Sequence, residues 1–145
     1  MLKTYRLNFS WDKDTEDWLR HQKKGSTLNI CCGMSRVGDI RADLDRTIDP
    51  DIVCDVHYPP FRANSFDTVI CDPPFSIYNR FRWLHGLARL VRYRLILSNP
   101  STVINLRRGR WTKTLYATES ASGKWTRFLR LWTFFDKIPL EASLQ

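Results

Sequence analysis

The stretch Phe66-Asp67-Thr68-Val69-Ile70-Cys71-Asp72-Pro73-Pro74-Phe75 decides how this chain is read. Its first part is a short, mostly apolar run rich in β-favouring residues, with the length of a buried strand. It stops at an aspartate followed by two prolines, which fix φ and have no N–H to continue a ladder. A strand thus ends abruptly in a stiff loop that begins with a carboxylate.

Working outward, the same grammar recurs. Leu28 to Cys32 reads as a strand closing at Gly33, Asp39 to Leu44 as a second and Asp51 to Cys54 as a third, each ending near an aspartate. Pro59-Pro60-Phe61 and Asn64-Ser65 make the loop before the strand over 66–71. Ahead of these, Trp11 to Lys24 has an acidic first half and a basic second half, the polarity that suits a helix dipole. After the proline loop, apolar residues at 77, 81, 84, 87, 88, 90 and 91 predict an amphipathic helix over Ile77 to Val91. Tyr93 to Leu97 is a fifth strand, stopped by Ser98-Asn99-Pro100. Trp111 to Thr118 and Phe128 to Phe135, with a turn at Ser120 to Gly123, form a terminal hairpin. The expected fold is α/β, a three-layer arrangement with a mainly parallel sheet covered on both faces and a C-terminal antiparallel hairpin. Gly33, Asp43, Asp55 and Asp72 then fall at strand ends and converge on one cleft.

With 145 residues, 43% of them hydrophobic, the chain is expected to form one domain over residues 1–145 with its own core. No apolar run approaches the ~18 to 20 residues that cross a bilayer, and Met1 to Arg6 lacks the apolar core of a signal peptide. A cytoplasmic protein with no membrane partner is expected. Cysteines 31, 32, 54 and 71 sit in or beside apolar runs without Cys-x-x-Cys spacing, and His21, His57 and His85 are scattered, so no metal is expected. Net charge is +8, and it is unevenly placed: residues 1–72 sum to −2 and residues 73–145 to +10. One cationic face for a polyanion such as nucleic acid is the expectation, a solvated surface the alternative.

In ordered motifs over almost the whole chain, the sequence resembles the Rossmann-like S-adenosylmethionine-dependent methyltransferases, in particular the amino-methyltransferases of DNA and RNA. Leu28-Asn29-Ile30-Cys31-Cys32-Gly33 resembles the first cofactor motif, Arg41-Ala42-Asp43 the acidic end of the second strand, and Cys54-Asp55-Val56 the third motif. Asn64-Ser65-Phe66-Asp67 leading into Asp72-Pro73-Pro74-Phe75 resembles the run into the catalytic loop. The resemblance implies S-adenosylmethionine as cofactor, with Asn29, Cys31, Cys32 and Gly33 near its methionine part. It places Asp43 on the ribose hydroxyls, Asp55 and Val56 on the adenine, and Asp72 beside the methyl. The chain departs from the pattern in three ways. Cys-Cys-Gly-Met-Ser replaces a Gly-x-Gly loop, Asn29 stands where an acidic residue is frequent, and Met34 to Asp39 is a compact loop with Gly38 rather than a helix.

The proline loop has a chemical logic of its own. An exocyclic amino nitrogen is a poor nucleophile because its lone pair is delocalised into the ring. Asp72, accepting one N–H beside the Pro73 carbonyl accepting the other, would localise that pair; Pro74 stiffens the loop and Phe75 offers a stacking surface. Tyr78 is a second stacking wall or a packing residue, and Asn99, at the end of the fifth strand, is a candidate for lining the target pocket. Arg107-Arg108-Gly109-Arg110 is a phosphate track or a solvated hairpin base. The expected activity is N-methylation of nucleic acid, adenine N6 foremost. A protein glutamine acceptor and a catalytically inactive nucleic-acid-binding subunit are the alternatives. With no insertion for target recognition, a homodimer or a partner protein is expected.

Overall fold

The computed structural model describes residues 11–74, 82–99, 105–106, 109–122 and 126–140, with backbone alone at 99, 119–122 and 126–129. Helix α1 (Lys13–Gln22) starts at Asp12, whose carboxylate accepts the Thr15 N–H at 2.8 Å, and carries Asp14 and Glu16 in its first turn and Arg20 and His21 in its last. Strands β1 (Thr27–Ile30), β2 (Ile40–Asp43) and β3 (Ile52–Val53) are shorter than the sequence runs that announce them. β1 stops because Cys31 turns to a φ of 56°. β4 (Phe66–Cys71) matches its apolar run residue for residue. Helix α2 (Arg82–Leu90) passes directly into β5 (Val91–Asn99), and β6 (Trp111–Ser122) and β7 (Thr126–Lys137) close the chain. The expected part of α2 before residue 82 lies outside the described residues. The expected turn at Ser120 is instead strand, because β6 stays paired with β7 as far as Ser122 opposite Thr126.

All seven strands form one sheet in the order β3-β2-β1-β4-β5-β7-β6. The first five are parallel to one another; β7 runs antiparallel to both β5 and β6. Neighbouring side chains alternate between two cores, as the pleat requires. Val69, Cys71, Leu95, Leu97 and Phe135 pack with Trp83, Leu84, Leu87 and Leu90 of α2 on one face. Ile70, Ile96, Trp132 and Phe134 pack with Trp11, Leu19 and Val37 on the other. Removing one such side chain, as in Leu87→Ala, is a change of the class that costs about 2–5 kcal/mol.

Between β1 and β2 the loop does the covering that a helix would do. Asn29, fully buried, donates from Nδ2 to Ser35 Oγ at 3.2 Å and to the Val37 carbonyl at 3.0 Å, drawing the loop onto the α1 face. Gly38, at a φ of 106°, lets the chain turn where a β-carbon would press on Asn29 at 3.2 Å. No described helix is long and apolar enough to cross a membrane.

At the amino edge of the sheet, Asp67 accepts from Ser26 N–H at 2.8 Å and from Arg92 Nε at 2.8 Å. Arg94 makes a two-pronged bond to Asp136, at 2.6 and 2.9 Å, and donates to the Gln22 carbonyl at 2.7 Å, joining β5, β7 and the end of α1. Gly25 has a φ of 52°, and a β-carbon there would collide with the Asp67 carboxylate. Gly25→Ala is therefore expected to lower stability by about 1–3 kcal/mol in urea unfolding; an unchanged midpoint would show that this turn tolerates a side chain.

Candidate active site

The strand register brings the sequence-predicted residues to one edge. Ile30 lies opposite both Ala42 and Cys71, Asp43 opposite Val53, and Cys71 opposite Leu97. Residues 31–33, 43, 54–56, 72 and 98 therefore share the carboxyl edge of the parallel strands. The strand order reverses between β1 and β4, and the crevice at such a switch point is where α/β sheets hold ligands.

On the β1–β3 side the backbone turns twice through the left-handed region, at Cys31 and at Gly33 with a φ of 51°. Gly33 N–H donates to Asp43 Oδ2 at 2.9 Å, and Asp45 N–H donates to Asp43 Oδ1 at 3.0 Å. Asp43 thus fastens the β1 loop to the end of β2. Asp55 is 43% exposed in its side chain, and its Oδ1 accepts from His57 through both the backbone N–H, at 2.9 Å, and the ring Nδ1, at 2.7 Å. Those bonds, the backbone one foremost, hold its carboxyl below the usual carboxylate range. Val56 is buried behind it in the α2-side core. Asn29 lies beneath the loop, and its Oδ1 is a buried oxygen without a hydrogen-bond partner among the described residues.

Burial pushes the Cys32 thiol up to about 11, and burial also raises Cys54 and Cys71. These thiols are protonated at neutral pH and line the edge as small apolar groups rather than as nucleophiles.

On the β4–β5 side, Asp72 points to the α1 face. Its Oδ2 accepts from Trp11 Nε1 at 2.9 Å and from Arg130 Nη1 at 2.5 Å; Arg130 Nη1 also reaches Ser98 Oγ at 3.0 Å. Arg130 arrives because the hairpin outruns β5: Asn99 pairs with Leu131, so Arg130 stands one step beyond the last β5 partner. Pro73 is buried and Pro74 exposed. Sequence reading assigned no role to Trp11 or Arg130 at this carboxylate. The available signal was a lone arginine in the apolar run Phe128 to Phe135, two residues from Trp132 and so on the same face.

Phe75, Tyr78, Arg107 and Arg108 lie outside the described residues, and for Asn99 only the backbone is described, at the carboxyl end of β5. Arg110 is not brought to this edge. β6 runs in the same direction as β5, so its start lies at the opposite edge, where Ile138 N–H bonds the Arg110 carbonyl at 3.0 Å and Lys137 reaches the Val91 carbonyl. The end of β5 and the start of β6 thus lie at opposite edges of the sheet, and Arg110 stands away from Asp72.

No protein-family model matches the sequence, and no curated protein does. Solved structures do match. An S-adenosylmethionine-dependent methyltransferase from Methanosarcina mazei superposes with a TM-score of 0.56 at 10% identity, covering 89% of this chain and 99% of that one. One from Aquifex aeolicus gives 0.56 at 10% identity, covering 86% and 90%. A Pyrococcus horikoshii protein proposed to be an RNA methyltransferase gives 0.52 at 13% identity, covering 87% and 81%. The chain therefore has the methyltransferase-like α/β fold, with a mostly parallel sheet and an antiparallel C-terminal end.

Asp72 and Arg130 are both largely shielded from solvent, so breaking the pair from one side leaves a poorly solvated charge. Arg130→Met is expected to cost about 1–3 kcal/mol. In a double-mutant cycle with Asp72→Asn, measured by urea unfolding, the two losses are expected to fall short of additivity. Additive losses would mean that the two side chains do not interact.

Proposed function

We propose that this protein is an S-adenosylmethionine-dependent methyltransferase whose acceptor is an exocyclic amino group of nucleic acid, adenine N6 foremost, in a reduced three-layer fold. The observation that carries the reading is the convergence, at the switch point of the sheet, of a loop turning at Cys31 and Gly33 with the carboxylates of Asp43, Asp55 and Asp72. The residues fit the cofactor. Asp43 and Asp55 offer carboxylates for a ribose diol and an adenine amine, Val56 an apolar flank, and Asn29 Oδ1 an acceptor below the loop that is unmet among the described residues.

Bound S-adenosylmethionine supplies an electrophilic methyl on a sulfonium. The chain's part is positioning. Asp72 accepts one amino hydrogen through Oδ1, its Oδ2 being held by Trp11 and Arg130, and the Pro73 carbonyl accepts the other. The amine is thereby turned toward tetrahedral geometry, and its surplus proton leaves to water. Phe75, two residues past Pro73, is the proposed stacking surface. Nucleic acid is favoured by the +10 charge of residues 73–145, by the exposed Arg82 at the start of α2, and by likeness to the Pyrococcus protein.

One observation favours a second reading. A carboxylate already bonded by an arginine and an indole also serves as a strut, as in a methyltransferase-like subunit without its own chemistry.

Incubation with labelled donor and DNA, RNA or protein, followed by nucleoside and peptide mass analysis, separates the acceptor classes. Asp72→Asn is expected to reduce transfer to nucleic acid by about 100-fold or more while donor binding persists. Undiminished transfer would reject the catalytic assignment, and no transfer by the unaltered protein would favour the strut. Asp55→Ala is expected to weaken donor binding by roughly ten-fold in calorimetry; unaltered affinity would remove Asp55 from the cofactor site.

A further inference from the structure

The two edges of the sheet are treated very differently. At one edge β3 has only Ile52 and Val53, too short to template another strand. At the other edge β6 runs unbroken from Trp111 to Ser122, and among the described strands it pairs with β7 alone. Its register has no bulge, it contains no proline, and Thr112 through Ala117 are all exposed, Leu115 at 46% and Tyr116 at 39%. Such an edge presents a row of backbone donors and acceptors that soluble proteins ordinarily shield.

The order of residues along β6 indicates what shields it. Around Tyr116 the sequence reads Lys113-Thr114-Leu115-Tyr116-Ala117-Thr118-Glu119. Lys113 and Glu119 are the strand's charged residues and stand equally far from Tyr116. When a second copy pairs antiparallel about a two-fold axis at Tyr116, position 113, a lysine, falls opposite position 119, a glutamate, twice over. Thr114 then faces Thr118, Leu115 faces Ala117, and Tyr116 faces its own copy. These are the opposite-charge, threonine and apolar cross-strand pairs that stabilise sheets. Sliding the strands by one or two residues in either direction sets both charges opposite uncharged residues. Parallel in-register pairing sets lysine against lysine.

We infer that β6 is a homodimerisation edge, and that two copies pair antiparallel about Tyr116 with Lys113 of each opposite Glu119 of the other. The result is one continuous sheet of twice seven strands, and the dyad directs the two carboxyl-edge sites to opposite sides. In the single chain Lys113 Nζ donates to Asn105 Oδ1 at 2.6 Å, a bond at an exposed site that the interface would share or replace. The pairing depends on strand chemistry alone and stands apart from the proposed reaction.

Sedimentation equilibrium on the full chain tests it, with circular dichroism to confirm folding. The unaltered protein is expected to be dimeric. Lys113→Glu and Glu119→Lys each oppose like charges twice, and each is expected to raise the dimer dissociation constant about ten-fold or more. The double variant Lys113→Glu/Glu119→Lys is expected to restore it. Mixing the two single variants is expected to give heterodimers, seen by native mass spectrometry, because each then meets its complement. A monomeric unaltered protein, a dimer indifferent to either swap, or a failure of the mixture to pair would overturn the inference.

Discussion

Everything at the carboxyl edge depends on the parallel pairing of β1 with β4, which sets Ile30 opposite Cys71. The two strands are distant in sequence, and placing them side by side forces β2 and β3 to one flank and β5 to the other. The loops leaving β1 and β4 must therefore diverge over a shared crevice. A one-residue slip in that ladder would carry the Asp72-Pro73-Pro74 loop away from its place beside Gly33 and Asp43. The ladder resists slipping because Val69 and Cys71 feed one core while Ile70 feeds the other, so a one-residue shift would exchange the faces.

The chain meets the demand for burial with little helix. Among the described residues each face carries one α-helix, and buried loop residues and aromatic clusters complete the cover. Val37 and Ser35 are drawn down by Asn29, and Trp11 meets Trp132 edge-on at 5.4 Å. Trp11 joins packing to the site, since its ring lies in the α1-side core while its N–H holds the Asp72 carboxylate. Arg130 has the same double character, stacked over Trp132 and bonded to Asp72. The orientation of that carboxylate is thus a property of the hairpin and of α1 as much as of its own loop.

Much of this was legible in the sequence. The apolar run before Asp72, the charge polarity of α1, the compact loop at Gly38 and the terminal hairpin are each determined by residues close together in the chain. The positions of Asp43, Asp55 and Asp72 at one edge follow from strand direction alone. What escaped the sequence is long-range. Arg130 meets Asp72 only because β7 outruns β5. Arg110 lies at the other edge from Asp72 because β6 runs in the same direction as β5, which composition does not reveal. The shortness of β1 has a local cause, the left-handed turn at Cys31, that a non-glycine residue does not announce.

The central claim is that the carboxyl ends of β1, β2 and β3 form the seat of a methyl donor. The most direct measurement is of backbone amide resonances during titration with S-adenosylmethionine. The account predicts that those of Gly33, Asp43, Asp55 and Val56 shift saturably while those of β6 stay in place. Resonances that do not move, or that move only away from this edge, would contradict it.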